Sequence, residues 1–178
     1  MKTIANTEAP AAPEVPAAPE ALPGSPPLLP VILGPGFGSG YWPWGPGTAG
    51  AVVATAVWLA LLSQLSGAML LTATAALIVA GTLAGTWATR RLMPYWGDDP
   101  SRVVIDEMAG VWVALLAATE WKSAVGALLL FRLFDIVKPL GIRALDRRRG
   151  AFWVMADDLL AGAYAGAIVL IAGQWATS

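Results

Sequence analysis

The chain has 178 residues, 57% of them hydrophobic and 13% charged, with a net charge of −1 and a mean hydropathy of +0.63. A soluble domain carries about 25% charged residues, so this composition belongs to a lipid-facing protein. There is no Cys and no His, which excludes disulfides, thiolate nucleophiles, zinc sites built on Cys or His, and imidazole acid–base catalysis. Chemistry must run on Asp, Glu, Lys, Arg, Ser, Thr or Tyr. Any metal site must be mostly oxygen, which suits Mg²⁺, Mn²⁺ or Ca²⁺.

Residues 1–30 hold eight of the fourteen prolines and only three acids, Glu8, Glu14 and Glu20. Such a segment buries too little apolar surface to offset its ordering entropy and reads as a disordered tail. It lacks the basic start and apolar core of a signal peptide. Residues 31–48 form a Gly/Pro/Trp-rich loop that opens a membrane-embedded domain running from 31 to 178. Ala49–Thr89 is a charge-free stretch of 41 residues, about twice the ~20 that cross a bilayer as helix. Leu65-Ser66-Gly67 near its middle marks a tight hairpin between two spans. Further spans are expected over about Val103–Thr119, Ser123–Leu140 and Leu159–Trp175. The expected fold is an all-α polytopic membrane bundle of about five hydrophobic helices, four if one is re-entrant, with no internal repeat.

Threading the five spans puts Arg90, Arg91, Arg102, Arg132, Lys138, Arg143 and Arg147–Arg149 on one side, with Lys122 alone on the other. By the positive-inside rule the cation-rich side is cytoplasmic. Trp42, Trp44, Trp96 and Trp153 suit an interfacial belt on that side, and Trp121 and Trp175 one on the other. The acids gather on the cytoplasmic side as well: Asp98, Asp99, Asp106 and Glu107 by the third span, Asp135 and Asp146 by the end of the fourth, Asp157 and Asp158 by the start of the fifth. Arg132, Asp135 and Lys138 are spaced by three and share a helix face. Charges inside a membrane helix need partners and are functional by default.

Plainer roles compete for some of these residues. Asp99-Pro100 resembles an N-cap followed by Pro at the first helical position, and Asp157 could cap the last helix. Arg147–Arg149 suits a topology anchor or headgroup patch. The run Gly36-Phe37-Gly38-Ser39-Gly40 neither follows a strand nor matches a nucleotide loop. Gly110, Gly81 and Gly85 suit close helix packing. Carboxylates and cations at headgroup level fit a phosphorylated amphiphile: acids hold a hard metal ion, and Arg and Lys hold phosphate oxygens. No nucleic-acid partner is expected, and oligomeric state is not legible.

Four motifs carry a family resemblance. FGSGYWPWGPGTAG (Phe37–Gly50), DPSRVVIDEMAG (Asp99–Gly110), FRLFDIVKPLGIRALDR (Phe131–Arg147) and MADDLLAG (Met155–Gly162) resemble, in order, the motifs of the phosphatidylglycerophosphatase A family of bacterial membrane phosphatases. The family often has Trp-Pro where Leu140-Gly141 stand, and is glycine-rich where Phe152 and Trp153 stand. The resemblance implies Mg²⁺-dependent removal of the phosphomonoester of phosphatidylglycerophosphate, giving phosphatidylglycerol in glycerophospholipid biosynthesis at the inner membrane. On that footing Asp106, Glu107, Asp135 and Asp158 are expected to be catalytic. Asp99, Asp106, Glu107, Asp135, Asp157 and Asp158 are the expected metal ligands. Arg132, Lys138, Arg143, Gly38, Ser39 and Thr48 are the expected phosphate contacts.

Other membrane chemistry fits less well. A CDP-alcohol phosphotransferase needs an Asp-x-x-Asp-Gly-x-x-Ala-Arg motif that is absent, and the Asp-x-Asp of haloacid-dehalogenase phosphatases is missing too. A cation-coupled transporter would place its acids nearer the bilayer midplane, often between inverted repeats. A purely structural ion-pair cluster is the remaining alternative.

Overall fold

The computed structural model describes residues 24–139 and 141–176. Among them there is no strand. The elements are α1 (Leu28–Leu33), a 3₁₀ turn at Gly36–Tyr41, α2 (Pro46–Leu62), α3 (Gly67–Trp96), α4 (Ile105–Leu115), α5 (Trp121–Val137), α6 (Ile142–Asp146) and α7 (Ala151–Ala176). Most of the tail read as disordered lies outside the described residues, and α1 crosses the boundary drawn at residue 30.

The expected hairpin is present. α2 ends at Leu62 and α3 starts at Gly67, whose φ of +54° suits a residue without Cβ. The Trp58 indole N–H donates to Thr74 Oγ1 at 3.0 Å and ties the two helices together. A polar bond of this kind has no water to compete with it when the surroundings are apolar.

Two helices, Gly67–Trp96 and Ala151–Trp175, are long and apolar enough to cross a membrane. At 1.5 Å per residue the 30 residues of α3 extend about 45 Å. Only 17% of its most apolar stretch is buried, against 44% for the last helix. Leu71, Val79 and Leu83 point outward at 50%, 58% and 68% exposure. A helix at the core of a soluble protein would cover those side chains, whereas the described residues leave this apolar face uncovered.

Two expected spans are redrawn. α4 has eleven residues, about 16 Å, roughly half of a ~30 Å hydrocarbon core. The segment expected to span from Val103 to Thr119 is instead a short central helix, with nine of its eleven residues buried among α2, α3, α5 and α7. The last helix begins at Ala151, eight residues before the expected Leu159, so Asp157 and Asp158 sit nearly two turns inside it.

Close approach is built into α4. A Cβ on Gly110 would meet the Asp158 carbonyl oxygen at 2.6 Å, and one on Gly162 would overlap the Gly110 carbonyl. The α4 and α7 backbones therefore touch, as small residues permit between apolar helices. Gly81 and Gly85 receive Trp112 and Met155 in the same way. The Trp112 indole N–H donates to the Ala54 carbonyl at 3.0 Å and fixes α4 against α2.

Candidate active site

One cleft of about 380 Å³ opens where the starts of α2, α4 and α7 meet the end of α5. It is lined by charged side chains of α4, α7 and the end of α5, and by Gly45, Pro46 and Gly47 at the start of α2. α4 delivers Asp106 and Glu107 from its first turn, where the helix dipole favours negative charge. The Gly34 carbonyl accepts from the Val104 and Ile105 N–H groups at 2.9 and 3.2 Å, which satisfies donors that a helix start leaves free. The glycine-rich turn thus anchors the α4 terminus that carries the acids.

Asp106 and Asp158 are almost wholly buried, and the Gly110–Gly162 contact draws their helices together. Carboxylate oxygens of Asp106, Glu107 and Asp158 all lie within 4.8 Å of one another. Three like charges at that separation, out of water, are costly unless a cation sits among them. The Arg132 guanidinium approaches Glu107 Oε1 at only 3.9 Å and gives its hydrogen bond to Asp135. Glu107 Oε2 is buried with no hydrogen-bond partner, as is Asp157 Oδ1. Buried carboxylate oxygens without donors, in an all-oxygen cluster, fit a hard divalent cation.

A second cluster closes the other side of the cleft. Lys138 ends α5 in a left-handed conformation, φ 50°, with its N–H on the Phe134 carbonyl at 2.8 Å. Its ammonium pairs with Asp146 of α6 and, at 2.8 Å, with Asp157 of α7. Lys138 therefore knots three helices together.

Asp98, Asp99, Asp146 and Arg148 complete the charged wall. Arg148, expected to be a topology anchor, instead stacks 4.3 Å from the Trp153 ring on the cleft rim. Nothing in the composition of the Arg147–Arg149 run marks which of its three members turns inward. Asp99 lines the cleft but does not cap α4, whose N-cap is Val104. Asp157 does not cap α7, since it lies six residues beyond Ala151.

Four expected phosphate contacts stand away from the cleft. Arg143 donates to the Val137 carbonyl at 3.3 Å. Ser39 Oγ donates to the Gly36 carbonyl at 3.0 Å, and Gly38 has open space around it. Thr48 lines a neighbouring apolar groove. Gly47, from the same loop, does reach the cleft: a Cβ there would collide with Glu107 Oε1 and stand 3.1 Å from Arg132 Nη1. Its signal in the sequence was the Gly-Pro-Gly start of α2.

Deep carboxylates, an embedded Arg and Lys, and an apolar helical body together suit the chemistry of a phosphate-handling enzyme. Comparison with known proteins gives the particular family. The family model for phosphatidylglycerophosphatase A matches residues 32–173. The chain is 50% identical over 154 residues to a Bacteroides thetaiotaomicron protein provisionally named phosphatidylinositol-3-phosphatase, covering 84% of this chain and 96% of that one. It is 35% identical over 148 residues to the phosphatidylglycerophosphatase A of Haemophilus influenzae, covering 81% and 88%. With that of Escherichia coli it shares 31% over 149 residues, covering 81% and 84%. No solved structure matches. The chain belongs to the phosphatidylglycerophosphatase A family, and it is a phosphatase.

Proposed function

We propose that this enzyme hydrolyses the phosphomonoester of phosphatidylglycerophosphate, giving phosphatidylglycerol and inorganic phosphate in glycerophospholipid biosynthesis. The observation that carries the reading is the convergence of Asp106, Glu107 and Asp158 beside Arg132, with a Glu107 oxygen left without a partner. Those three carboxylates would hold Mg²⁺, with Asp99, Asp135 and Asp157 on the same cleft wall as further oxygen donors. Bound there, the ion would neutralise phosphate charge and polarise the P–O bond.

The protein's own groups supply the rest. Arg132, its guanidinium oriented by Asp135 and its Nε without a partner, binds a phosphate oxygen. The α2 terminus at Gly47 adds a favourable dipole for the anion. One carboxylate of the pair Asp106 and Asp158, held off bulk water, takes a proton of the attacking water as its oxygen bonds to phosphorus and returns it to the ester oxygen, which leaves as the alcohol. Lys138 is a positioning residue that holds Asp157 in place.

The enzyme would sit as a multi-pass protein in the bacterial cytoplasmic membrane, with the cleft on the cytoplasmic face. The supporting pattern is that Arg90, Arg91, Arg102, Arg143 and Arg147–Arg149 fall near the cleft end, while Lys122 begins α5 at its opposite end. A second reading, phosphatidylinositol 3-phosphate as substrate, is favoured by the name of the 50% identical relative.

The test is phosphate release by the detergent-purified enzyme from both lipids, with Mg²⁺ and with chelator. Faster turnover of phosphatidylglycerophosphate is expected, with loss of activity on chelation and a higher melting temperature when Mg²⁺ is restored. Turnover of the inositol lipid about ten-fold faster would establish the second reading instead. Full activity and an unchanged melting temperature without divalent ions would remove the metal assignment.

A further inference from the structure

Directly beside the cleft, and sharing Gly45 with it, lies an apolar groove of about 410 Å³. Trp42 and Trp44 form one wall, and Ala49, Val52 and Val53 on the outer face of α2 form the other. The two indoles meet edge to face, 6.0 Å between centroids at 88°. They are 55% and 87% exposed, and Val52 and Val53 stay 49% and 40% exposed. The described protein leaves this apolar surface uncovered.

An interfacial belt would account for two exposed tryptophans but not for a groove continuous with the phosphate site. The junction is structural. Gly45 adopts φ 150° and turns the chain from the Trp-Pro-Trp segment into α2. The first turn of α2 then shows Gly47 to Glu107 and Arg132, and Ala49 to the groove. From Gly45 to Val53 the helix runs about 12 Å at 1.5 Å per residue, away from the charged cleft and into the apolar body.

We propose that this groove holds one acyl chain of the substrate, so that the enzyme recognises its lipid at both ends: phosphate in the cleft and hydrocarbon along α2 under the tryptophans. The inference rests on the phosphomonoester reading of the cleft. A phosphate bound beside Gly47 directs the rest of the headgroup past Gly45, first its glycerol and phosphodiester and then the acylated glycerol, and the groove is the apolar surface contiguous with that path. Rigid aromatic walls fix the direction of the chain at low entropic cost. Their effect falls on substrate binding and on orientation of the ester toward Arg132.

The experiment uses the full chain in mixed micelles with phosphatidylglycerophosphate carrying a diazirine midway along one acyl chain. Photolabel is expected within residues 42–53, suppressed by unlabelled phosphatidylglycerophosphate and not by phosphatidylcholine. Label spread equally along the exposed face of α3, or displaced equally by both lipids, would overturn the proposal. A kinetic arm compares didecanoyl with dihexanoyl substrate. Val53→Trp, which fills the groove, should lower the long-to-short ratio of kcat/KM about ten-fold, equivalent to ~1.4 kcal/mol, whereas an unchanged ratio counts against the site. Wild-type enzyme that releases no phosphate from either lipid overturns the reading of the cleft itself. Label outside the groove on an active enzyme overturns only the acyl site.

Discussion

Two charged clusters face each other across the cleft, and they are built on opposite principles. At the α4–α7 crossing, Asp106, Glu107 and Asp158 crowd together, with the Arg132 guanidinium 3.9 Å from Glu107 and with Glu107 Oε2 left without a partner. At the α5–α6–α7 junction, the Lys138 ammonium pairs with both Asp146 and Asp157, though one Asp157 oxygen has no partner. The first is like charge brought together by backbone contact, and the second is opposite charge that itself joins three helices. Crowded like charges mark the part of a buried polar cluster that suits a ligand; ion pairs mark the part that supports it.

That contrast can be broken at three points. The largest effect is expected from Asp106→Asn, which removes one like charge from the crowded set. Phosphate release should fall about 10³-fold, while the melting temperature in chelator holds or rises because repulsion is relieved. A melting temperature that drops along with activity would place Asp106 in a structural cluster like that of Lys138. Gly47→Ala comes next: its Cβ pushes on Glu107 and Arg132 without removing any ionisable group. A displacement of about 1 Å should cost roughly 10²-fold in kcat/KM, and near wild-type rates would show that the α2 terminus does not shape the site.

The smallest catalytic effect is expected at the ion-paired cluster around Lys138. Lys138→Ala leaves two carboxylates unpaired in a partly exposed place, a loss of about 2 kcal/mol in stability with a roughly ten-fold fall in activity. Lys138→Gly should be less damaging by ~1 kcal/mol, since glycine adopts the left-handed φ without strain. Thermal melts of the two variants measure the difference. Equal stability would mean that the backbone of Lys138 costs nothing.

The sequence made part of this site legible. Asp106, Glu107, Asp135, Asp157 and Asp158 stand out because charge is rare in so apolar a chain and must be compensated, and the cleft brings all five together. Arg132 was legible from its spacing to Asp135. The inward turn of Arg148, the structural closure of Ser39 and Arg143, and the arrival of Gly47 were not legible. Each depends on which face of a loop or short helix meets a partner distant in sequence.

What the sequence determined by itself is the all-helical, strongly apolar character, the hairpin at Gly67 and the restriction to carboxylate chemistry. These follow from composition and local backbone preference. Only the tertiary structure decided that the third apolar segment is a short buried helix, that Gly110 and Gly162 let two backbones meet, and that one group of carboxylates crowds together while another pairs with Lys138. Helix length and charge type are properties of consecutive residues. Whether a carboxylate finds a partner depends on the distances between helices, which close packing sets.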